Sequence, residues 1–200
     1  HGSAERDSLP LLVRGCASHS QSTTEAPPLP EDDPKNFPDQ NATKSVELGG
    51  RHWVKRRTYT VTTATGGPTC EYAQINGKVK ENEYTLELGA KFRSMWISKN
   101  QTLLLETTGQ HPAPNVLNFT RLSDDGPLGH PLLYSNYKDC HIVRIMKKNS
   151  TEYHCDLLLT GGAAKEDPPT ECEAKFEEYC KGTSYEVYST SCNETGPKTQ

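Results

Sequence analysis

The chain has 200 residues, room for one sizeable domain plus an extension. Apolar residues make up only 32% of it, and counting glycine in place of tyrosine still leaves the share below the ~45–50% usual for globular chains, so the core needs help. A net charge of −4 rules out the broad positive field that nucleic acid demands, and no apolar run reaches the ~18 residues of a membrane span. Seven cysteines are the expected help, because disulfides persist outside the cytosol and offset a weak core. An extracellular, secreted chain is therefore expected. Leu9 to Val13 is too short and Pro-broken for a signal-peptide core, and the start at His1 is read as a leader removed or never included. Sequons at Asn41, Asn100, Asn118, Asn149 and Asn193 point to a glycoprotein.

In chain order, residues 1–38 hold six prolines and a polar Ser/Thr stretch, and read as a disordered extension ending at Glu31-Asp32-Asp33. A short helical turn follows over about 40–48, closed by Gly49-Gly50. From Arg51 the texture is that of strands: 53–61, 70–75, 84–92, 95–106, 116–122, 132–137, 140–146 and 153–159. The clearest, from Tyr84 to Phe92, alternates with a strict period of two. Thr170-Glu171-Cys172-Glu173 then reads as a capping box opening a helix over about 170–181, with Cys172, Phe176, Tyr179 and Cys180 on one face. The fold class expected is all-β with one C-terminal helix, an eight-stranded antiparallel barrel over 39–193 that encloses a one-ligand cavity, with 194–200 as a flexible tail. A sandwich is the alternative.

Six cysteines lie in the ordered part and allow fifteen pairings. Cys172 and Cys180, ~12 Å apart on a helix, exceed the ~7 Å that a disulfide spans, which leaves twelve. If Cys140 and Cys155 point outward to reach the helix, alternation turns His141, Val143 and Ile145 inward, together with His154, Asp156 and Leu158. His141 and Asp156 then either bond each other or anchor a bound small molecule. Alternation also separates Cys140 from His141, so Asp139-Cys140-His141 is no thiol nucleophile, and neither catalysis nor a metal or cofactor is expected. Lys55, Arg56 and Arg57 either steer an anionic ligand or form a solvated strand.

Val54-Lys55-Arg56-Arg57-Thr58-Tyr59, the strand-opening Cys70, Tyr134 to Cys140, Cys155-Asp156-Leu157, Pro169 to Phe176 and Cys192 together resemble the tick salivary lipocalins, the family of the histamine-binding proteins. The resemblance covers about residues 40–192. It implies the pairs Cys70 with Cys192, Cys140 with Cys172 and Cys155 with Cys180, leaving Cys16 without a partner. The implied ligand wall is His141, Asp156, Val143, Ile145 and Leu158, with Trp53 and Tyr59 from the first strand. The family's amine-binding members carry Asp where this chain has His141, and Glu-Leu-Trp where it has Asp156-Leu157-Leu158. An ammonium prefers carboxylates and aromatic faces, so these departures imply a fatty carboxylate or neutral ligand instead. The resemblance implies a monomeric secreted lipocalin that sequesters small host mediators, an eicosanoid, other lipid or biogenic amine. The alternative is a protein-binding immune or complement inhibitor on the same scaffold.

Overall fold

The computed structural model describes residues 24–64, 66–123 and 125–193. Eight strands follow in series: β1 (Arg51–Arg57), β2 (Thr69–Lys80), β3 (Glu83–Phe92), β4 (Met95–Glu106), β5 (Val116–Thr120), β6 (Pro127–Ser135), β7 (Cys140–Ile145) and β8 (His154–Thr160). Each pairs antiparallel with its sequence neighbour, and β1 pairs with both β2 and β8, which closes the ring. Closure removes the unpaired edges that a chain with so few apolar residues could not shield. The expected barrel is thus present. A two-residue strand, β9 (Tyr185–Glu186), pairs beside the end of β1 and was not anticipated.

Alternation divides the apolar residues into two cores. The inner one lines the barrel and includes Leu86, Leu88, Leu103, Leu132, Val143 and Ile145. Helix α1 (Ala42–Val46) brings Ala42 and Val46 to it and closes one end of the barrel, Ala42 N–H donating to the Pro114 carbonyl at 2.8 Å. The outer core lies between the barrel wall and α2 (Thr170–Tyr179), where Ile142, Leu157 and Leu159 meet Phe176. Disulfides Cys140–Cys172 and Cys155–Cys180 fasten that helix, and Cys70–Cys192 ties the C-terminal segment to β2. These are the pairs that the resemblance implies. Cys16 and the expected tail 194–200 fall outside the described residues.

Two expectations need correction. Residues 30–38 were assigned to a disordered extension, but Pro30–Asp32 and Pro34–Asp39 form 3-10 turns laid against the barrel. The reason is a buried ion pair: Glu31 Oε1 and Oε2 accept from Arg144 Nε and Nη2 at 2.5 and 2.8 Å. Asn36 and Gln40 both donate to the Pro30 carbonyl, and Gln40 also to that of Leu133. The capping box is absent too. Pro169 is the N-cap, its carbonyl accepting from Glu173 N–H at 2.9 Å, so Thr170 is already helical and the Glu173 carboxylate pairs with Arg56 instead. The helix ends at Tyr179, and Cys180 is extended.

Of the sequons, Asn100 and Asn149 are exposed. Asn41 caps α1 through its side-chain oxygen, Asn118 Nδ2 donates to Glu106, and Asn193 closes the last 3-10 turn.

Candidate ligand site

A cavity of about 110 Å³ lies inside the barrel, walled mainly by aliphatic side chains from all eight strands, with Ser45 and Val46 of α1 also lining it. His141, Val143, Ile145, Asp156 and Leu158 all line it, as alternation along β7 and β8 required. His154, assigned to the same face, instead stands at the rim, 3.0 Å from Glu152 and against the Tyr59 ring. Trp53 is not in the wall. Because Val54 faces the cavity, its neighbour Trp53 faces out, packing edge-on to Tyr72 at 5.4 Å in the outer core. Tyr59 lies past the end of β1 and lines a smaller vestibule of about 30 Å³ with Phe92, Leu122 and Arg121.

The structure separates the two polar groups that could have paired. Across β7 and β8, His141 lies opposite Leu158 and Asp156 opposite Val143. His141 sits near the closed end, its Nδ1 2.8 Å from Ser135 Oγ, which also accepts from the Tyr137 amide at 2.9 Å. With the hydroxyl already accepting from the Tyr137 amide, the arrangement that also uses its proton has Ser135 Oγ donating to Nδ1, and the neutral imidazole then carries its ring proton on Nε2. That Nε2 is buried and has no hydrogen-bond partner among the described residues. Burial, with His52 stacked on it at 4.9 Å, pushes the His141 pKa down to about 3. At neutral pH it offers one N–H donor and no charge.

Asp156 belongs to a charged belt between the cavity and the vestibule. Arg57 Nη2 donates to Glu71 Oε2 at 2.6 Å, and its Nε lies 3.4 Å from Asp156 Oδ1. Burial raises the Asp156 pKa and Arg57 offsets only part of that, since the guanidinium lies closer to Glu71. Burial opposes the Arg57 charge, but Glu71 and Asp156 outweigh it, so its pKa is raised. Arg121, paired to Asp125, lines both compartments.

The sequence groups Arg57 with Lys55 and Arg56 as a ligand-steering or solvated run and gives no sign of its place inside the barrel beside Asp156. Strict alternation from Val54 would send Arg57 outward, but the pairing of β1 with β8 shifts between Val54 and Arg56. The extra residue, Lys55, reverses the alternation and turns Arg57 inward opposite Asp156. Nothing in Lys55-Arg56-Arg57 signals which residue is inserted.

A family profile described as tick histamine binding protein matches residues 30–194. The chain belongs to the tick histamine-binding protein family. The match starts at Pro30, the first residue of the turn that carries Glu31. Among solved structures this family member is similar to AM182, whose structure is a serotonin complex, with TM-score 0.59 and 18% identity over 76% of this chain and 91% of that one. Japanin from Rhipicephalus appendiculatus, bound to cholesterol, gives 0.52 and 11% over 72% and 94%. Lobster apocrustacyanin A1 gives 0.55 and 12% over 80% and 87%. At such identities the likeness is one of fold. No curated protein sequence is recognisably similar to the chain. The histamine-binding proteins are ligand carriers rather than enzymes, and the cavity here is walled mainly by aliphatic side chains.

Proposed function

We propose that the protein is a secreted, glycosylated salivary carrier that sequesters a small host mediator and so suppresses host defence. The ligand places a hydrogen-bond acceptor, a carbonyl, hydroxyl or carboxylate oxygen, on His141 Nε2, and its apolar body along Val143, Ile145 and Leu158. The observation that carries this reading is the unpartnered Nε2–H in an aliphatic cavity. A buried donor left unused costs ~1–3 kcal/mol, and that loss is recovered when a ligand accepts from it. The two carboxylates that line the cavity, Asp156 and Glu71, both already face Arg57, which weakens the case for an amine. A dry cavity of ~150 Å³ takes benzene, so about 110 Å³ is tight for one ring, and a substituted ring or a long eicosanoid has to displace wall side chains or run on into the vestibule.

Native mass spectrometry of the deglycosylated protein should reveal a bound molecule of this kind. Calorimetry should show binding of an uncharged or acidic mediator that falls about tenfold or more in His141→Ala, one hydrogen bond's worth. Tight histamine binding abolished by Asp156→Ala would return the amine reading. Failure of amines and lipids alike would favour a host protein as the partner.

A further inference from the structure

Two neighbouring polar atoms at the belt, Arg57 Nε and Asp156 Oδ1, are buried and without hydrogen-bond partners among the described residues. They lie 3.4 Å apart, on side chains 3% and 8% exposed. Glu71 accounts for the misfit, since it draws the guanidinium toward its own carboxylate at 2.6 Å and leaves Nε beside Asp156 rather than aimed at it. A donor and an acceptor thus stand side by side, both unused. An ammonium group could donate to Oδ1 but would sit against a guanidinium. A carboxylate could accept from Nε but would face two carboxylates. A hydroxyl is the smallest group that does both, and it adds no charge.

We infer that the belt, where Asp156 borders the cavity and Arg57 the vestibule, recognises a ligand hydroxyl that accepts from Arg57 Nε–H and donates to Asp156 Oδ1. The inference rests on the carrier reading and deepens it. In the β7–β8 register, His141 and Asp156 are offset by two residues, about 7 Å along the strands. The ligand class is therefore a compact apolar molecule with an acceptor at one end for His141 and a hydroxyl at the other, one ring or its equivalent apart.

The test uses the full chain and four probes of one shape: 4-hydroxyacetophenone, acetophenone, 4-methoxyacetophenone and 4-ethylphenol, titrated by calorimetry. The hydroxy ketone should bind tightest. Removing its hydroxyl, or methylating it so that it accepts but cannot donate, should weaken binding about tenfold or more, as for a hydrogen bond to a charged group. Asp156→Asn should bring acetophenone and 4-hydroxyacetophenone closer together. Equal affinities for the three ketones overturn the hydroxyl site, and if 4-ethylphenol is then weaker the His141 anchor survives. Dependence on the hydroxyl without dependence on the carbonyl does the reverse. No binding of any probe overturns both.

Discussion

His141 has its chemistry because an imidazole in an aliphatic chamber is cheaper neutral than charged. Its pKa falls to about 3, and burial beside Phe119 takes that of His130 to about 4. Both lie below the ordinary value near 6.5, so the unfolded chain binds protons that the folded one refuses. Stability is fully present above pH ~6.5 and lost as pH falls toward the folded values, at up to ~1.4 kcal/mol per unit for each group. Asp156 works the other way: its raised folded pKa makes its ionisation a cost, which is relieved as pH falls. Urea midpoints should drop between pH 6.5 and 4 in the native protein and drop less in His141→Leu; equal slopes would contradict this assignment. At Arg57 the expected effect is larger. Arg57→Met leaves Glu71 and Asp156 as two buried carboxylates without their cation and should cost ~3–5 kcal/mol, read from the same midpoints. The inward face of β7 and β8 was legible because period two leaves no choice once Cys140 and Cys155 are outward. The partners of His141 and Asp156 were not, since Ser135 and Arg57 arrive from other strands, one of them through a bulge.

Short elements of this protein depend on what fastens them. Helix α2 is only ten residues long, too short to be stable alone, and holds its place through two disulfides and Phe176 against Ile142 and Leu157. Cys172→Ala should cost ~2–5 kcal/mol and Phe176→Ala ~3–5 kcal/mol, with less than additive loss when combined, because both remove the same docking contact. The helix itself could be read from its apolar spacing; its first residue could not, because Pro169 supplies the starting carbonyl in place of a side-chain cap. The strap formed by residues 30–40 was hidden for a related reason. Its composition is that of a disordered segment, and what orders it is one long-range pair, Glu31 with Arg144, 113 residues away. A truncation starting at Thr24 keeps these contacts and should melt like the full chain, whereas one starting at Gln40 uncovers the buried Arg144 guanidinium and should melt several degrees lower. Glu31→Ala should reproduce most of that loss, about 3 kcal/mol or more. Unchanged melting of both would show the strap to be a passive contact.

For the whole molecule, a closed barrel with a small, mainly aliphatic interior limits the size of what it can enclose. Family membership alone would favour an amine. The site does not, because the residue after Cys140 is a neutral imidazole and the two carboxylates on the cavity wall, Asp156 and Glu71, already share one cation, Arg57. An ammonium at Asp156 has to compete with Arg57 at 3.4 Å, and at His141 it meets another donor. Losing one charge-assisted contact of ~1.5–3 kcal/mol weakens binding roughly ten- to hundred-fold, since ~1.4 kcal/mol is tenfold. Histamine and serotonin should therefore bind this protein at least tenfold more weakly than the double variant His141→Asp with Leu158→Trp, which restores a carboxylate and an aromatic face to the wall. Calorimetry of native protein and variant decides it. Native affinity for either amine equal to that of the folded variant would mean that Asp156 releases Arg57 to bind an ammonium, and the belt would then be a displaceable partner rather than a fixed one.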